Sequence, residues 1–271
     1  MNIKRVTTTL IGFPIVILFL VLGNKYMLDI AFAIVALIAM HEYTKCVSKK
    51  AKVISWIGYL CAASLSLLHV VSNSTINFIA TLGAPILLLI LFLHVIISNM
   101  KINFQDIAFT LMGIAYIFCF ILFLPLTYGI EGEISGKILI WYIIFTAWGT
   151  DVFAYLGGKY FGKTKFSKVS PNKTIEGCIA GTASAIIISI LYTVFINSYF
   201  GLEISYIAIM IISAILSIIG QIGDFSASSI KRYFEVKDFS ELFPGHGGMI
   251  DRIDSVMFIA PFAYLLLTLF L

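Results

Sequence analysis

The segment from Asp224 to Asp254 contains the residues of this sequence that are best suited to chemistry. It contains carboxylates, cations, a histidine and glycines between two long apolar runs, although the whole chain is 60% hydrophobic and only 12% charged. Spacings of four and three residues place Asp224, Ser228 and Lys231 on one face of a helix, with Arg232 adjoining. A carboxylate, a hydroxyl and cations stacked in this way are suited to bind a metal ion and its phosphate ligand.

The second half of this segment combines glycines with further acids. The sequence Gly-His-Gly-Gly at 245–248 can turn backbone N–H groups toward an anion and let a phosphate approach closely. Mg²⁺ prefers oxygen ligands and usually bridges one or two carboxylates to substrate phosphates. We therefore expect Asp224 and Asp251 to bind Mg²⁺ and Asp254 to complete a second cation site. Zinc is not expected, because His246 is the segment's single histidine and no cysteine lies nearby.

A second polar segment runs from Thr150 to Gly177. Asp151 falls near the end of an apolar run, five lysines follow, and residues 170–174 lead into the next run. Ser, Asn and Thr at such a position can cap a helix, whose first-turn amides favour an anion. The lysines alone are also explained by membrane topology and attraction to anionic lipid. Glu176 favours a binding site in this segment, because a signal for membrane topology does not require an acid just inside the membrane.

The elements that must position these segments are membrane spans. Nine apolar runs reach the length of about 17 to 25 residues that crosses a bilayer, and they do not alternate as barrel strands do. The predicted fold is an all-α polytopic membrane protein, a bundle of about nine transmembrane helices. The runs are Thr8 to Asn24, Leu28 to Thr44, Val53 to Ser72, Asn77 to Ser98, Ile107 to Tyr128, Ile138 to Leu156, Ile175 to Asn197, Ile204 to Gly223 and Val256 to Leu271.

Charge asymmetry orients this bundle. With a cytoplasmic N-terminus, 16 of the 18 Lys and Arg residues fall on the cytoplasmic side, which is the bias expected of inside loops. Both polar segments then face the cytoplasm. The basic residues report topology, so no nucleic-acid partner is expected. The chain is read as one integrated membrane domain, with helices at 1–105, middle helices and a basic loop at 106–174, and the signature-bearing helices at 175–271.

A few polar residues lie elsewhere in the spans. Glu42 and Asp29 fall near opposite ends of the second span, and both are expected to reach the membrane interface. His69 shows no acidic partner in the sequence, so interfacial or core packing is expected for it.

The motifs in the two polar segments resemble those of the phosphatidate cytidylyltransferases, also called CDP-diacylglycerol synthases, of the bacterial type. Two departures are mild: Phe239 and Ser240 replace a common Ser-Gly pair, and Asn172 stands where many members have Lys. The motifs are D-x-x-A-Y-x-x-G from Asp151, S-P-N-K-T-x-E-G from Ser170, Q-I-G-D from Gln221, S-x-I-K-R from Ser228, K-D-x-S from Lys237 and F-P-x-H-G-G-M-x-D-R-I-D from Phe243.

This resemblance implies that phosphatidic acid and CTP form CDP-diacylglycerol and pyrophosphate with Mg²⁺, at the cytoplasmic face of a bacterial inner membrane. It implies membrane lipids as surroundings, and leaves a homodimer and a second cation open. The implied metal-binding acids are Asp224, Asp251 and Asp254. The implied catalytic residues are these three with Lys231 and Arg232. The implied substrate-binding residues are Asp151, Lys173, Thr174, Glu176, Ser228, Lys237, His246, Gly247, Gly248 and Arg252.

Other functions stay open at this point. A related CTP-dependent lipid enzyme, such as a polyprenol kinase or an archaeal-type lipid cytidylyltransferase, would share the same polar residues. A transporter would also use many spans, but transport sites usually lie near the bilayer midplane, whereas the charge here clusters on one surface. A purely structural or lipid-binding membrane protein is the third alternative.

Overall fold

The computed structural model describes residues 3–167, 169–245 and 247–271. Within these residues the only β-structure is two isolated bridges, and all longer elements are helices. The helices are α1 Ile3–Leu22, α2 Lys25–Val47, α3 Ser55–Ser64, α4 Asn73–Ile97, α5 Phe104–Gly113, α6 Phe123–Tyr128, α7 Gly136–Phe161, α8 Ile175–Phe200, α9 Tyr206–Tyr233 and α10 Ile250–Phe270.

The helices confirm the predicted class of an all-α polytopic membrane protein. Six helical segments of the described chain are long and apolar enough to cross a bilayer: Lys25–Val47, Phe104–Tyr128, Gly136–Phe161, Ile175–Phe200, Tyr206–Tyr233 and Ile250–Phe270. The third predicted span is shorter than expected, because its apolar helix covers only Ser55–Leu67. The count of nine transmembrane helices and the cytoplasmic N-terminus stay predictions. The division of the chain into segments 1–105, 106–174 and 175–271 also stays a prediction.

The chain forms two compact units. The first consists of Met1–Pro125 and Asp238–Met249, and the second of Leu126–Lys237 and Ile250–Leu271. The glycine-rich part of the predicted site therefore belongs to the first unit. The acids and most of the cations belong to the second.

In the first unit, α2 carries a buried acid that the sequence placed at the interface. Asp29 is 0% exposed. It accepts a hydrogen bond from the backbone N–H of His69 at 3.0 Å, and the Nδ1 atom of His69 lies 2.8 Å from its other oxygen. The expectation for His69 is thus wrong, because it has an acidic partner, and Asp29 is enclosed by protein, while its place near the membrane interface stays a prediction. Burying a carboxylate in an apolar bundle requires such hydrogen bonds.

In the second unit, glycines let α7 and α8 approach closely. A methyl group at Gly177 would lie 2.6 Å from the carbonyl oxygen of Ala154, and one at Gly181 would lie 2.8 Å from that of Thr150. Small residues at helix interfaces are typical of membrane bundles, where close backbone contact replaces the hydrophobic drive. This contact fixes the end of α7 that contains Asp151 beside the start of α8.

The helices α9 and α10 approach each other in the same way. A methyl group at Gly223 would lie 2.6 Å from the carbonyl oxygen of Asp254, and one at Gly220 would lie 2.8 Å from the Cδ1 atom of Ile259. As a result the part of α9 that contains Asp224 lies against the first turns of α10.

Buried hydroxyl groups join α7, α8 and α9 further inside the unit. The hydroxyls of Thr150 and Ser217 lie 2.8 Å apart, Ser217 donates to Thr182 at 3.2 Å, and the amide of Gln221 donates to Thr182 at 3.0 Å. Side-chain hydrogen bonds of this kind hold helices together where no water is available. They keep the three helices that carry the polar residues in register.

Candidate active site

The start of α8 is built by the loop that precedes it. Thr174 caps the helix, since its hydroxyl accepts the backbone N–H of Gly177 at 3.1 Å. Glu176 accepts the backbone N–H groups of Lys163 and Thr164, both at 3.1 Å. A bridge between Lys165 and Thr174 completes a small hairpin. Thr174 and Glu176 therefore shape this loop in the structure, and their predicted contact with substrate stays a prediction.

This loop presents Lys173 to α9. The ammonium of Lys173 donates to the carboxylate of Asp224 across 51 residues of sequence, and it also lies 4.3 Å from the ring centroid of Phe225. Both charged side chains keep more than a quarter of their surface exposed, at 27% and 29%. A charged pair that is only half buried can exchange its partners when a charged ligand arrives.

A second ion pair joins α9 to α10. The ammonium of Lys231 donates to the carboxylate of Asp251 at 2.6 Å, and the two side chains are only 15% and 4% exposed. Asp251 lies in the first turn of α10, where a carboxylate is also stabilised by the helix dipole. The predicted catalytic residues Lys231 and Asp251 are therefore in direct contact.

Three carboxylates of the second unit, those of Asp151, Asp224 and Asp254, interact electrostatically. Asp254 is 8% exposed and accepts the backbone N–H of Ser255 at 2.8 Å. The hydroxyl of Ser255 donates to the carboxylate of Asp151 at 3.3 Å, and Asp151 is exposed at the surface of the unit. Asp151 and Asp254 interact electrostatically with each other and with Asp224. Negative charges that interact in this way repel one another, and a bound cation would relieve the repulsion.

The remaining predicted residues of the second unit surround this cluster. Ser228 is half-buried one turn beyond Asp224 on α9, and Arg232 is exposed next to Lys231. Lys237 is exposed beyond the end of α9. Arg252 is exposed in the first turn of α10 and interacts electrostatically with Asp151.

The glycine-rich residues belong to the first unit, where they form a compact loop. The backbone of Phe243 donates to the carbonyl of Gly247 at 2.9 Å, and Gly245 and Gly247 have φ angles of 80° and 81°. Only glycine adopts such angles without strain, so these two residues are required by the turn. His246, a predicted substrate-binding residue, lies outside the described residues. Gly248 packs against Glu42 of α2.

Sequence reasoning missed the role of Glu42. It was expected at the membrane interface, but the residue is 3% exposed and accepts hydrogen bonds from Ser240 and from the backbone of Met249. The signal was present, because a single acid inside an apolar run is costly unless something pairs with it. What the sequence could not show was the identity of partners about 200 residues away.

The donor set of the second unit fits Mg²⁺. In the described part of the chain no three His, Cys, Asp or Glu side chains are grouped closely enough to bind one metal ion together. Mg²⁺ does not need such a group, since it keeps several waters and usually takes one or two carboxylates plus substrate phosphates. Asp224, Asp251 and Asp254 supply carboxylate oxygens, the ligand type that this ion prefers.

An apolar groove lies beside the Lys173–Asp224 pair. It has a volume of about 850 Å³ and runs between α8 and α9. Phe225 lines it and stacks on Phe166 at a centroid distance of 4.8 Å, so the groove begins at the ring that the Lys173 ammonium contacts. The apolar side chains that line it include Phe166, Ile175, Ile179, Ile218, Ile222 and Phe225.

A bundle of membrane helices with lysines and carboxylates gathered toward the helix ends is typical of enzymes that transfer phosphorus-containing groups at a membrane surface. The comparison with known proteins agrees with this class. The chain belongs to the cytidylyltransferase family, whose model matches residues 3–270.

Its relatives include bacterial proteins of similar length. It is 32% identical to the phosphatidate cytidylyltransferase of Bacillus subtilis (strain 168), over 98% of each chain. It is 33% identical to that of Staphylococcus haemolyticus (strain JCSC1435), over 97% of this chain and 98% of the relative. The enzyme of Staphylococcus aureus (strain COL) is 33% identical over 96% of this chain and 97% of its own. The chain is thus an enzyme of this family, as the motifs indicate.

Proposed function

We propose that this enzyme transfers the cytidylyl group of CTP to phosphatidic acid in an Mg²⁺-dependent reaction of phospholipid synthesis. A phosphate oxygen of the lipid attacks the α-phosphorus of CTP, and the bond from that phosphorus to the bridging oxygen breaks. CDP-diacylglycerol forms and pyrophosphate leaves. Family membership and the two lysine–aspartate pairs support this proposal. The protein's contribution is mainly positioning and charge stabilisation, as in other phosphoryl transfers.

The two ion pairs keep the charges of the site neutralised in the absence of substrate. Lys173 and Lys231 then donate to phosphate oxygens when CTP and the lipid bind, because an ammonium binds phosphate as readily as carboxylate. The acids released in this exchange, Asp224 and Asp251, are the residues that would hold Mg²⁺, together with Asp254. A bound Mg²⁺ would neutralise charge on the phosphates. Arg232 and Lys237, and similarly Arg252, would add further positive charge.

The groove between α8 and α9 supports a lipid as the acceptor. A phosphate held by Lys173 would place the attached glycerol next to Phe225, where the apolar lining begins. An acyl chain lying along this lining would exchange contacts with other lipid tails for packing against the groove side chains, so its binding would depend on close van der Waals fit. We propose that the groove binds one acyl chain of phosphatidic acid.

The location follows from charge and substrate. We propose that the site faces the cytoplasm in the cell membrane of a bacterium, because 16 of 18 Lys and Arg residues fall on that side of the predicted topology and CTP is an intracellular nucleotide.

The direct test uses purified protein in detergent with labelled CTP, phosphatidic acid and Mg²⁺. CDP-diacylglycerol and pyrophosphate are expected in equal amounts, and omission of the lipid should stop both. Failure of a folded sample to form product would refute the proposal. Product from a polyprenol in place of phosphatidic acid would instead indicate a related CTP-dependent lipid enzyme.

A substitution in the groove should affect the lipid alone. Ile222→Trp fills part of the lining and should raise the KM for phosphatidic acid about tenfold, since roughly one buried acyl segment would lose its contact. The KM for CTP should not change. Ile211→Trp is the matched control, because Ile211 lies on the same face of α9 about three turns away and outside the groove. Equal effects of the two variants would contradict the assignment of the groove.

A further inference from the structure

Glu42 of α2 contacts both ends of the glycine-rich loop within the first unit. Its Oε1 atom accepts the hydroxyl of Ser240 at 2.6 Å and the backbone N–H of Met249 at 2.8 Å. These two donors lie nine residues apart in sequence, so one carboxylate oxygen closes the loop between them. Since Glu42 is only 3% exposed, this contact takes place away from water, where hydrogen bonds to a charged group are strongest.

The loop is also shaped to admit this carboxylate. A methyl group at Gly248 would lie 2.5 Å from the Oε2 atom of Glu42 and 2.7 Å from its carboxyl carbon. No side chain fits at this position while the carboxylate is in place. A side chain at position 248 would thus displace the Glu42 carboxylate, whereas Gly245 and Gly247 are required by the turn geometry.

Glu42 stands on a firmly held part of α2. The next residue, Tyr43, is 1% exposed and donates its hydroxyl to the backbone carbonyl of Phe109 at 2.9 Å. A methyl group at Gly113 would lie 2.4 Å from the Tyr43 ring, so α2 and α5 are in close contact here. A carboxylate fixed to packed helices can hold a loop more precisely than one on another loop.

We propose that Glu42 is a positioning residue, which sets the conformation of residues 240–249 for the nucleotidyl transfer. This inference rests on the proposed function. The loop is followed directly in sequence by the predicted metal-binding acid Asp251, two residues beyond Met249.

Three substitutions at position 42 test this role through kcat and KM. Glu42→Ala removes the acceptor and Glu42→Asp withdraws it by one CH₂ group, so each should lower kcat about tenfold to hundredfold. Glu42→Gln keeps an oxygen that can accept both donors, and it should restore kcat to within about fivefold of the original value. An equal loss in Gln and Ala variants, or no loss in any variant, would overturn the proposal.

The contact with Ser240 gives a second test that does not depend on the buried substitution alone. Ser240→Gly should lower kcat about threefold in the original protein and should have no further effect in the Glu42→Ala background, because the shared contact is already lost. Additive losses would show that the two residues act independently and would contradict the proposal.

Two controls separate positioning from general stability. Asp29→Asn removes another buried acid of α2, so it should lower the unfolding temperature but leave kcat per folded molecule unchanged. Tryptic cleavage after Lys237, next to the loop, should become about tenfold faster in Glu42→Ala, relative to cleavage after Lys165 in the segment before α8, since the loop opens locally. An unchanged rate of cleavage after Lys237 would contradict the role of Glu42 in holding the loop. If the unsubstituted protein shows no transferase activity, only the proposed function is refuted, because the cleavage test can still be carried out.

Discussion

Asp251→Asn is expected to lower kcat by about 10³-fold or more, an effect as large as the loss of a group that stabilises transition-state charge. Asp251 is nearly buried and paired with Lys231 at 2.6 Å. The asparagine cannot neutralise Lys231 and is a much weaker ligand for a divalent cation. Asp224→Asn should have a comparable effect through Lys173, its partner in the second pair. Initial rates of CDP-diacylglycerol formation measure both losses.

The controls for this prediction distinguish chemistry from unfolding. Glu241→Gln removes an exposed acid from the neighbouring loop and should leave kcat within about twofold, as is usual for surface positions. The unfolding temperature in detergent should show that both asparagine variants are folded. Substantial turnover by either of them would mean that the metal-binding acids lie elsewhere.

Removal of divalent cations is expected to abolish turnover, and added Mg²⁺ should restore it. The carboxylates of Asp151, Asp224 and Asp254 interact electrostatically in the absence of a metal, so the site favours binding of a cation. Mg²⁺ should also raise the unfolding temperature of the substrate-free protein, because an ion that binds only the folded state stabilises it. Rates and unfolding temperatures across a series of free Mg²⁺ concentrations test both effects.

Asp254→Asn provides the matched variant for this experiment. It should raise the Mg²⁺ concentration needed for half-maximal rate about tenfold, which corresponds to one weakened charge interaction of roughly 1.4 kcal/mol. Full activity in excess chelator would rule out the metal requirement. An unchanged Mg²⁺ dependence in this variant would remove Asp254 from the predicted metal ligands.

Much of the fold could be predicted from the sequence because the bilayer restricts it strongly. A chain that crosses the membrane must satisfy its backbone internally, so long apolar runs become helices. The eighth predicted span, Ile204 to Gly223, lies in a helix that runs from Tyr206 to Tyr233, and the last helix begins at Ile250, six residues before the predicted start at Val256. The third run was predicted less well. Its apolar helix is only Ser55–Leu67, since hydropathy measures composition and not where a helix ends.

The composition of the candidate site could also be predicted from the sequence. Charged residues among apolar runs cost free energy, so they indicate a functional site. The family motifs and helical spacing pointed to the acids and cations of the second unit. The tertiary structure alone decided their partners: Lys173 meets Asp224, and Lys231 meets Asp251. These pairs depend on how closely glycines allow the helices to pack, which no local pattern records.

The segment from Asp224 to Asp254 shows this division most clearly. The sequence by itself determined its chemistry, because residue types and spacing set which groups can bind phosphate and metal. Only the tertiary structure showed what holds the segment in its conformation, because Glu42 closes the loop from a helix about 200 residues earlier in the chain. A buried carboxylate takes whatever donors the fold brings to it, and sequence distance does not limit which donors those are.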